Sequence, residues 1–117
     1  MKKLALLFAM VVFAFGNAFA QSSMYFDFEG QTAGNKIAQT LGAPWTTWSN
    51  APGGAEDGVF DMADGSMAAH FTYGNDQVLL LGGIESGEFD LVFDAYVPNG
   101  KNGYFNVLHH FAGGGST

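Results

Sequence analysis

An alternating run of residues near the C-terminal end limits the fold more than any other feature of the chain. In residues 89–97, odd positions carry Phe, Leu, Phe, Ala and Val, while three of the four even positions between them are Asp or Tyr. Five turn-forming residues follow at 98–102, and residues 103–111 alternate again, with Phe105, Val107 and Phe111 at odd positions. A period of two places each set on its own face of a strand, so the pattern predicts a β-hairpin in an all-β fold with one buried face.

The register of this hairpin can be argued from the cost of burying charge. If Val97 opposes Gly103, Tyr96 faces Tyr104 and Asp94 faces Asn106 on the second face. A slip of one residue would bury aspartates against aromatic rings, which is too costly, whereas a slip of two keeps both faces and stays open. The second face is therefore expected to be polar and aromatic.

Residues 1–20 have the composition of a signal peptide. Lys2 and Lys3 precede an apolar run at 4–15 that is too short to span a membrane, and a small-x-small motif ends at Ala20. Cleavage is expected before Gln21; the alternative is an uncleaved anchor. We therefore expect export through the general secretory route to a secreted, extracellular or cell-surface location, with no stable membrane insertion after cleavage.

Charge and cysteine content limit how the fold can be stabilised and which partners it can bind. The chain of 117 residues has no Cys and a formal charge of −7, and cleavage would remove two of its four lysines and none of its eleven acids, leaving −9. Without disulfides, the fold must depend on its core or on a bound metal. Because nucleic-acid binding needs basic residues, nucleic acid is excluded as a partner.

The remaining mature sequence is long enough for one small domain, 21–112, with a flexible Gly-rich tail at 113–117. Residues 31–39 are predicted as loop, and residues 40–54, which contain two tryptophans between prolines, as an ordered excursion that is not a strand. Further strands are predicted where apolar residues alternate or form a short run, at 24–29, 59–62, 67–73 and 77–81.

Three stretches resemble a known family: DFEG near the mature start, WTTWSNAPGGAEDG, and LLLGGIESGEFDLVFDAYVPNGKNGYFNVLHHF. They resemble the N-terminal domain of secreted bacterial proteins that end in a type IX secretion sorting domain. The resemblance implies a concanavalin A-like lectin/glucanase fold, an antiparallel β-sandwich of the jelly-roll type. Such domains are commonly longer, which implies that this sandwich is incomplete and that a C-terminal part of the same polypeptide is missing.

Two groups of residues are candidates for carbohydrate binding. Trp45 and Trp48 could stack on sugar rings, or could instead fill one end of the sandwich. The second face of the hairpin offers a further set, made of Asp94, Tyr96, Tyr104 and Asn106.

Four acids are candidates for a structural Ca²⁺ site, since carboxylate oxygens suit this ion: Asp27, Glu29, Glu56 and Asp57. The alternative is that they are solvated surface acids. His109 and His110 are adjacent and point to opposite faces of a strand, so a zinc site built on both is not expected.

Catalytic motifs are lacking. The paired glutamates of glucanase relatives are absent, and Asp90 and Asp94 lie about 13 Å apart along a strand, too far for a retaining glycosidase. A non-catalytic lectin-like module is therefore the first functional hypothesis. A structural or spacer domain without a ligand is the second, and a glycoside hydrolase fragment is a distant third.

Overall fold

The computed structural model describes residues 23–82, 86–108 and 110–112. The predicted signal peptide, its cleavage site, His109 and the Gly-rich tail lie outside these residues. The described part contains a short helix followed by four strands: α1 (Ile37–Leu41), β1 (Trp45–Thr47), β2 (Val59–Ala63), β3 (Ser66–His70) and β4 (Gln77–Leu79). The strands form two antiparallel sheets of two strands each, β1 with β4 and β2 with β3.

The β2–β3 hairpin confirms the strands predicted at 59–62 and in the first part of 67–73. Val59 pairs with His70 at the open end and Ala63 with Ser66 at the closed end. The two loop residues, Asp64 and Gly65, have φ angles of 48° and 84°. Positive φ at both central positions is the requirement of a type I′ turn, and Asp-Gly is among the pairs that accept it most readily. The local sequence therefore dictates this hairpin.

The predictions for residues 31–54 were partly wrong. Residues 37–41 form α1 instead of continuing a loop, and Trp45–Thr47 forms β1 instead of an irregular excursion. Strand β1 pairs with β4, so that Trp45 lies opposite Leu79. Both errors have one cause, because a five-residue helix and a three-residue strand are too short to show periodicity and are defined by partners distant in sequence.

The buried core is small and lies between α1, β1 and β2. Among the described residues, the buried apolar ones are Ile37, Ala38 and Phe60, and Thr46 and Thr47 are buried beside them. Gly58 lets the elements approach closely. A Cβ atom there would lie 2.7 Å from the Phe71 ring and 2.8 Å from a backbone carbonyl oxygen. Any side chain at position 58 would therefore push the segments around the core apart.

The strand predicted at 24–29 does not form, although the alternation correctly predicted which of its side chains are exposed and which are partly buried. Phe26 and Phe28 are half-buried, and the residues between and beside them are exposed. Phe28 has a φ of 62°, and its carbonyl accepts a hydrogen bond from the Gln31 amide at 3.0 Å, so the backbone turns where a strand would continue. This segment supplies rings to the packing without joining either sheet.

The hairpin predicted at 89–111 is only partly realised. Among the described residues of the range 88–108, which we call the arm, none is in a strand. The turn is present, because the Lys101 amide donates to the Pro98 carbonyl at 3.0 Å and Gly100 has a φ of 77°. The two halves also run close, since a Cβ atom on Gly103 would lie 3.4 Å from Val97.

The absence of strand pairing in the arm has a physical explanation. Most side chains of the arm are exposed on both faces, so no apolar burial stabilises the pairing, and an isolated two-stranded hairpin is marginal in water. The Phe93 and Phe105 rings nevertheless meet edge to face, with centroids 5.0 Å apart. They are diagonal neighbours in the predicted register and direct partners after the two-residue slip that the sequence left open.

The architecture is consistent with the predicted all-β class, with strands predominating over a single short helix in the described residues. The finer prediction of a closed sandwich or jelly roll is not realised within these residues, which form only two small sheets.

Candidate functional site

The most organised group in the molecule is built around the carboxylate of Asp57, which is completely buried. One oxygen, Oδ1, accepts a hydrogen bond from the Ala38 amide at 2.8 Å. The other, Oδ2, accepts from the amides of Gln39 at 3.1 Å and Gly53 at 2.8 Å. Since Ala38 and Gln39 belong to the first turn of α1, Asp57 caps this helix from a position almost twenty residues away.

The cap replaces one that the local sequence lacks. Lys36 precedes α1 and makes no side-chain capping bond; its Nζ atom donates instead to the Asp57 carbonyl at 2.8 Å. The Ile37 amide donates to the Gly58 carbonyl at 3.0 Å. The first free amides of α1 are therefore all satisfied by the segment 57–58.

Burial would raise the pKa of Asp57, but the backbone amides of Ala38, Gly53 and Gln39, together with the Gln77 side chain, stabilise the charged form and leave the pKa lowered. The carboxylate is thus held ionised with its oxygens already engaged. Such a group suits a structural role and not proton transfer, which requires a pKa near the working pH.

Gln77 ties the Asp57 segment to the β1–β4 sheet. Its Nε2 atom donates to the Thr46 carbonyl at 2.7 Å, and its Oε1 atom accepts from the Gly58 amide at 2.9 Å. Thr47 contributes from the same sheet, because its hydroxyl accepts from the Ala51 amide at 2.9 Å. These bonds join the helix, the β1–β4 sheet and the loop between them into one unit.

Glu56 lies on the surface beside this unit and binds Ser49. Its Oε2 atom accepts from the Ser49 amide at 2.8 Å, and its Oε1 atom from the Ser49 hydroxyl at 2.7 Å. These two bonds lower the pKa of Glu56. Both residues line a shallow depression of about 230 Å³ with Ala51 and two further loop residues. This is smaller than the clefts of about 300–1,000 Å³ that typically hold small ligands.

The four acids predicted as calcium ligands are not brought together. Asp57 faces the helix and Glu56 faces Ser49, as described above. Asp27 Oδ1 accepts from the Glu29 amide at 3.2 Å, and Glu29 Oε2 accepts from the Met67 amide at 3.5 Å. Within the described ranges, no three acidic or histidine side chains are grouped as a metal site would require.

The two tryptophans occupy separate apolar clusters. Trp45 packs edge to face against Phe26 and Phe28, with ring centroids 5.2 and 5.9 Å away. Its Nε1 atom is enclosed and has no acceptor among the described residues. Trp48 packs against Phe111 at 5.3 Å. Both indoles are half-buried, and their contacts with phenylalanine rings favour the interpretation in which the tryptophans fill the interior.

The four carbohydrate-binding candidates on the predicted hairpin are exposed to solvent. Tyr96 and Tyr104 are 66% and 89% exposed, and Asp94 and Asn106 are exposed beside them in sequence. The turn at Pro98–Lys101 brings the two halves that carry them side by side. Of the six residues predicted to bind carbohydrate, these four are free to meet a ligand.

The role of Asp57 was missed by the sequence reasoning. A helix-capping aspartate normally stands immediately before its helix, and nothing in the local pattern links Asp57 to residues 37–41. The only indication was its place in the turn-rich stretch 53–58, which is typical of a loop held by its own polar side chains.

Comparisons with protein-family models, with curated proteins and with solved structures find no match to the chain. Within the described residues, the helix is too short to cross a membrane.

Proposed function

We propose that this chain is an exported, non-catalytic, lectin-like module that binds a saccharide through Asp94, Tyr96, Tyr104 and Asn106, here called the tyrosine face. The supporting observation is the exposure of both tyrosines on adjacent halves of one arm. On the first half the Asp94 carboxylate lies two residues from Tyr96, and on the second half the Asn106 amide lies two residues from Tyr104.

The chemistry of the tyrosine face suits a sugar. Flat aromatic rings stack on the apolar face of a pyranose, and tyrosine adds a hydroxyl that can donate or accept a hydrogen bond. The carboxylate of Asp94 accepts hydrogen bonds from sugar hydroxyls, and the Asn106 amide both donates and accepts them. A few directed polar groups around an aromatic platform are typical of small-molecule sites.

We further propose that the whole domain is a jelly-roll sandwich of the concanavalin A-like type. The alternation in the arm supports this, because the odd-numbered positions present apolar side chains that a second sheet would cover. The signal-peptide pattern of residues 1–20 supports export.

A binding role fits the properties of Asp57 and Glu56 better than a glycosidase role. Asp57 is buried and engaged, and Glu56 has a lowered pKa where a general acid would need a raised one. A spacer domain without a ligand is the second candidate, and the packing of both tryptophans against phenylalanine rings favours it.

A glycan array probed with the labelled chain decides between these candidates. We expect binding to at least one glycan class, and a loss of about tenfold or more for Tyr96→Ala and for Tyr104→Ala, since each removes a stacking ring. Tyr73→Ala is the matched control, because this tyrosine is fully exposed in the turn after β3. An array without any bound glycan, or binding that survives both substitutions, would contradict the proposal.

A further inference from the structure

The tip of the arm contains both asparagines of the chain that are followed by glycine. Asn99 precedes Gly100 and Asn102 precedes Gly103, and all four residues are exposed. The side-chain amide of an asparagine can react with the backbone nitrogen of the next residue, and glycine hinders this approach least because it has no Cβ atom. Exposed loop tips are also among the segments whose backbone is least restrained. The tip of the arm therefore combines the residue pair and the setting that this reaction needs.

The space around each glycine distinguishes the two sites. Leaving aside its two chain neighbours, Gly100 has no described atom within 4 Å of the place that a Cβ atom would take, whereas Val97 lies 3.4 Å from that place on Gly103. The turn that contains Gly100 is closed by a backbone hydrogen bond, which the Lys101 amide donates at 3.0 Å. Since an isolated hairpin is marginal in water, this turn can open and let the first asparagine reach the next nitrogen. The first site is therefore the more open of the two.

Two other asparagines are held in place by hydrogen bonds. The Asn75 side chain accepts a bond from the Thr72 amide at 2.8 Å and donates one to the Ala55 carbonyl at 3.0 Å. The Asn50 side chain accepts one from the Thr46 hydroxyl at 2.8 Å. Each of the two is followed by a residue with a side chain. Both the fixed amide and the more crowded nitrogen oppose the reaction there, so these asparagines serve as references within the same chain.

We propose that Asn99 is a site of spontaneous deamidation, with water as the co-reactant. The Gly100 nitrogen loses its proton to solvent and attacks the Asn99 Cγ atom; a C–N bond forms, and the side-chain nitrogen takes up a proton and leaves as ammonia. Water then opens the resulting succinimide ring. Attack at Cγ gives aspartate, and attack at the backbone carbonyl carbon gives isoaspartate, in which the chain runs through the former side chain. One water is consumed and one ammonia released, and nothing is oxidised or reduced.

The modification changes the arm at the point where its two halves are joined. Either product places a carboxylate two residues before Lys101. Isoaspartate also lengthens the backbone by one methylene group inside the turn, so we expect it to break the hydrogen bond between Lys101 and Pro98. Since the two halves carry Tyr96 and Tyr104, their alignment changes as well. The proposal does not depend on glycan binding, and each can fail separately.

Incubation of the purified chain at mildly alkaline pH tests the site, followed by peptide mapping with mass spectrometry that separates aspartate from isoaspartate. The rate at each asparagine is measured in buffer and in urea, where only the local sequence acts. With each rate in buffer divided by its own rate in urea, we expect Asn99 to react several-fold faster than Asn102. We expect Asn50 and Asn75 to keep their amides in the folded chain.

Two matched variants complete the test. Asn99→Gln should abolish the reaction at position 99, because the longer side chain would have to close a larger ring, and Asn102→Gln should leave the rate at Asn99 unchanged. An Asn99 amide that persists in the folded chain after its loss in urea would overturn the proposal. So would a normalised rate at Asn102 that equals or exceeds that at Asn99, or a product that contains no isoaspartate.

Discussion

Replacing Asp57 with asparagine tests the organisation of the core most sharply. The substitution keeps the size of the side chain, removes its charge and turns one acceptor oxygen into an NH₂ donor. In the folded protein three backbone amides donate to the two carboxylate oxygens. At least one of them would then face another donor inside a buried site.

The expected loss of stability is about 3 kcal/mol. A hydrogen bond to a charged group contributes about 1.5–3 kcal/mol, and a buried donor left without an acceptor costs about 1–3 kcal/mol. One oxygen remains in asparagine, so the full sum of three bonds is not lost. Because small domains are stable by about 5–15 kcal/mol, this is a large fraction of the total.

The assay is urea unfolding at neutral pH, followed by tryptophan fluorescence. Asp64→Asn is the matched control: it removes the same charge from an exposed residue in the type I′ turn, where Asn-Gly is as suitable as Asp-Gly. We expect the control to unfold within about 0.5 kcal/mol of the wild type. If Asp57→Asn behaved like its control, Asp57 would not hold α1 in place.

The same experiment has a predicted pH dependence. The pKa of Asp57 is below its ordinary value of 3.8 in the folded protein. A lowered pKa contributes stability above the unfolded value, and this contribution disappears as the pH falls through the folded value. The wild-type advantage over Asp57→Asn should therefore be complete at neutral pH and shrink below about pH 4. An advantage unchanged at low pH would contradict the assignment of the effect to the ionised carboxylate.

Three further predictions concern other parts of the chain. Gly58→Ala should lower the free energy of unfolding by about 1–3 kcal/mol, because its Cβ would lie 2.7 Å from a phenylalanine ring, while Gly30→Ala, with open space around it, should cost far less in the same denaturation assay. Ser49→Ala should raise the pKa of Glu56 only part of the way to its ordinary 4.5 in an NMR titration, since the amide at position 49 remains a donor; an unchanged pKa would contradict this. Mass spectrometry of exported protein should find Gln21 at the N-terminus, and a product that retains residues 4–15 would disprove cleavage.

Features determined by local chemistry were predictable from the sequence. Asp64 and Gly65 define a two-residue turn, and the strands on either side of it followed directly. The half-buried rings of Phe26 and Phe28 were also expected from alternation. In each case the information lies within a few residues of the feature that it specifies.

Features that depend on distant partners were not predictable. Helix α1 is capped by Asp57, and β1 exists because it pairs with β4, some thirty residues away in sequence. The arm shows the reverse error: residues 89–97 alternate as a strand should, but alternation describes which faces could be buried and does not provide the sheet that would bury them.

The candidate site was likewise only partly predictable from the sequence. The sequence pointed to Tyr96 and Tyr104, which are exposed, but it could not separate them from Trp45 and Trp48, which are half-buried and pack against phenylalanine rings. Composition identifies aromatic residues that are able to bind a sugar. Only packing shows which of them are free to do so.

The most direct test of the proposed function is a sugar titration of the chain with ¹³C-labelled tyrosine rings, observed by NMR. The chain has four tyrosines, and Tyr25 and Tyr73 are exposed but lie outside the tyrosine face, so they serve as internal controls. With a glycan selected from the array, we predict saturable shifts of the Tyr96 and Tyr104 resonances and none at the two controls. Shifts confined to Tyr25 and Tyr73, or no shift at any of the four rings, would contradict glycan binding by the tyrosine face.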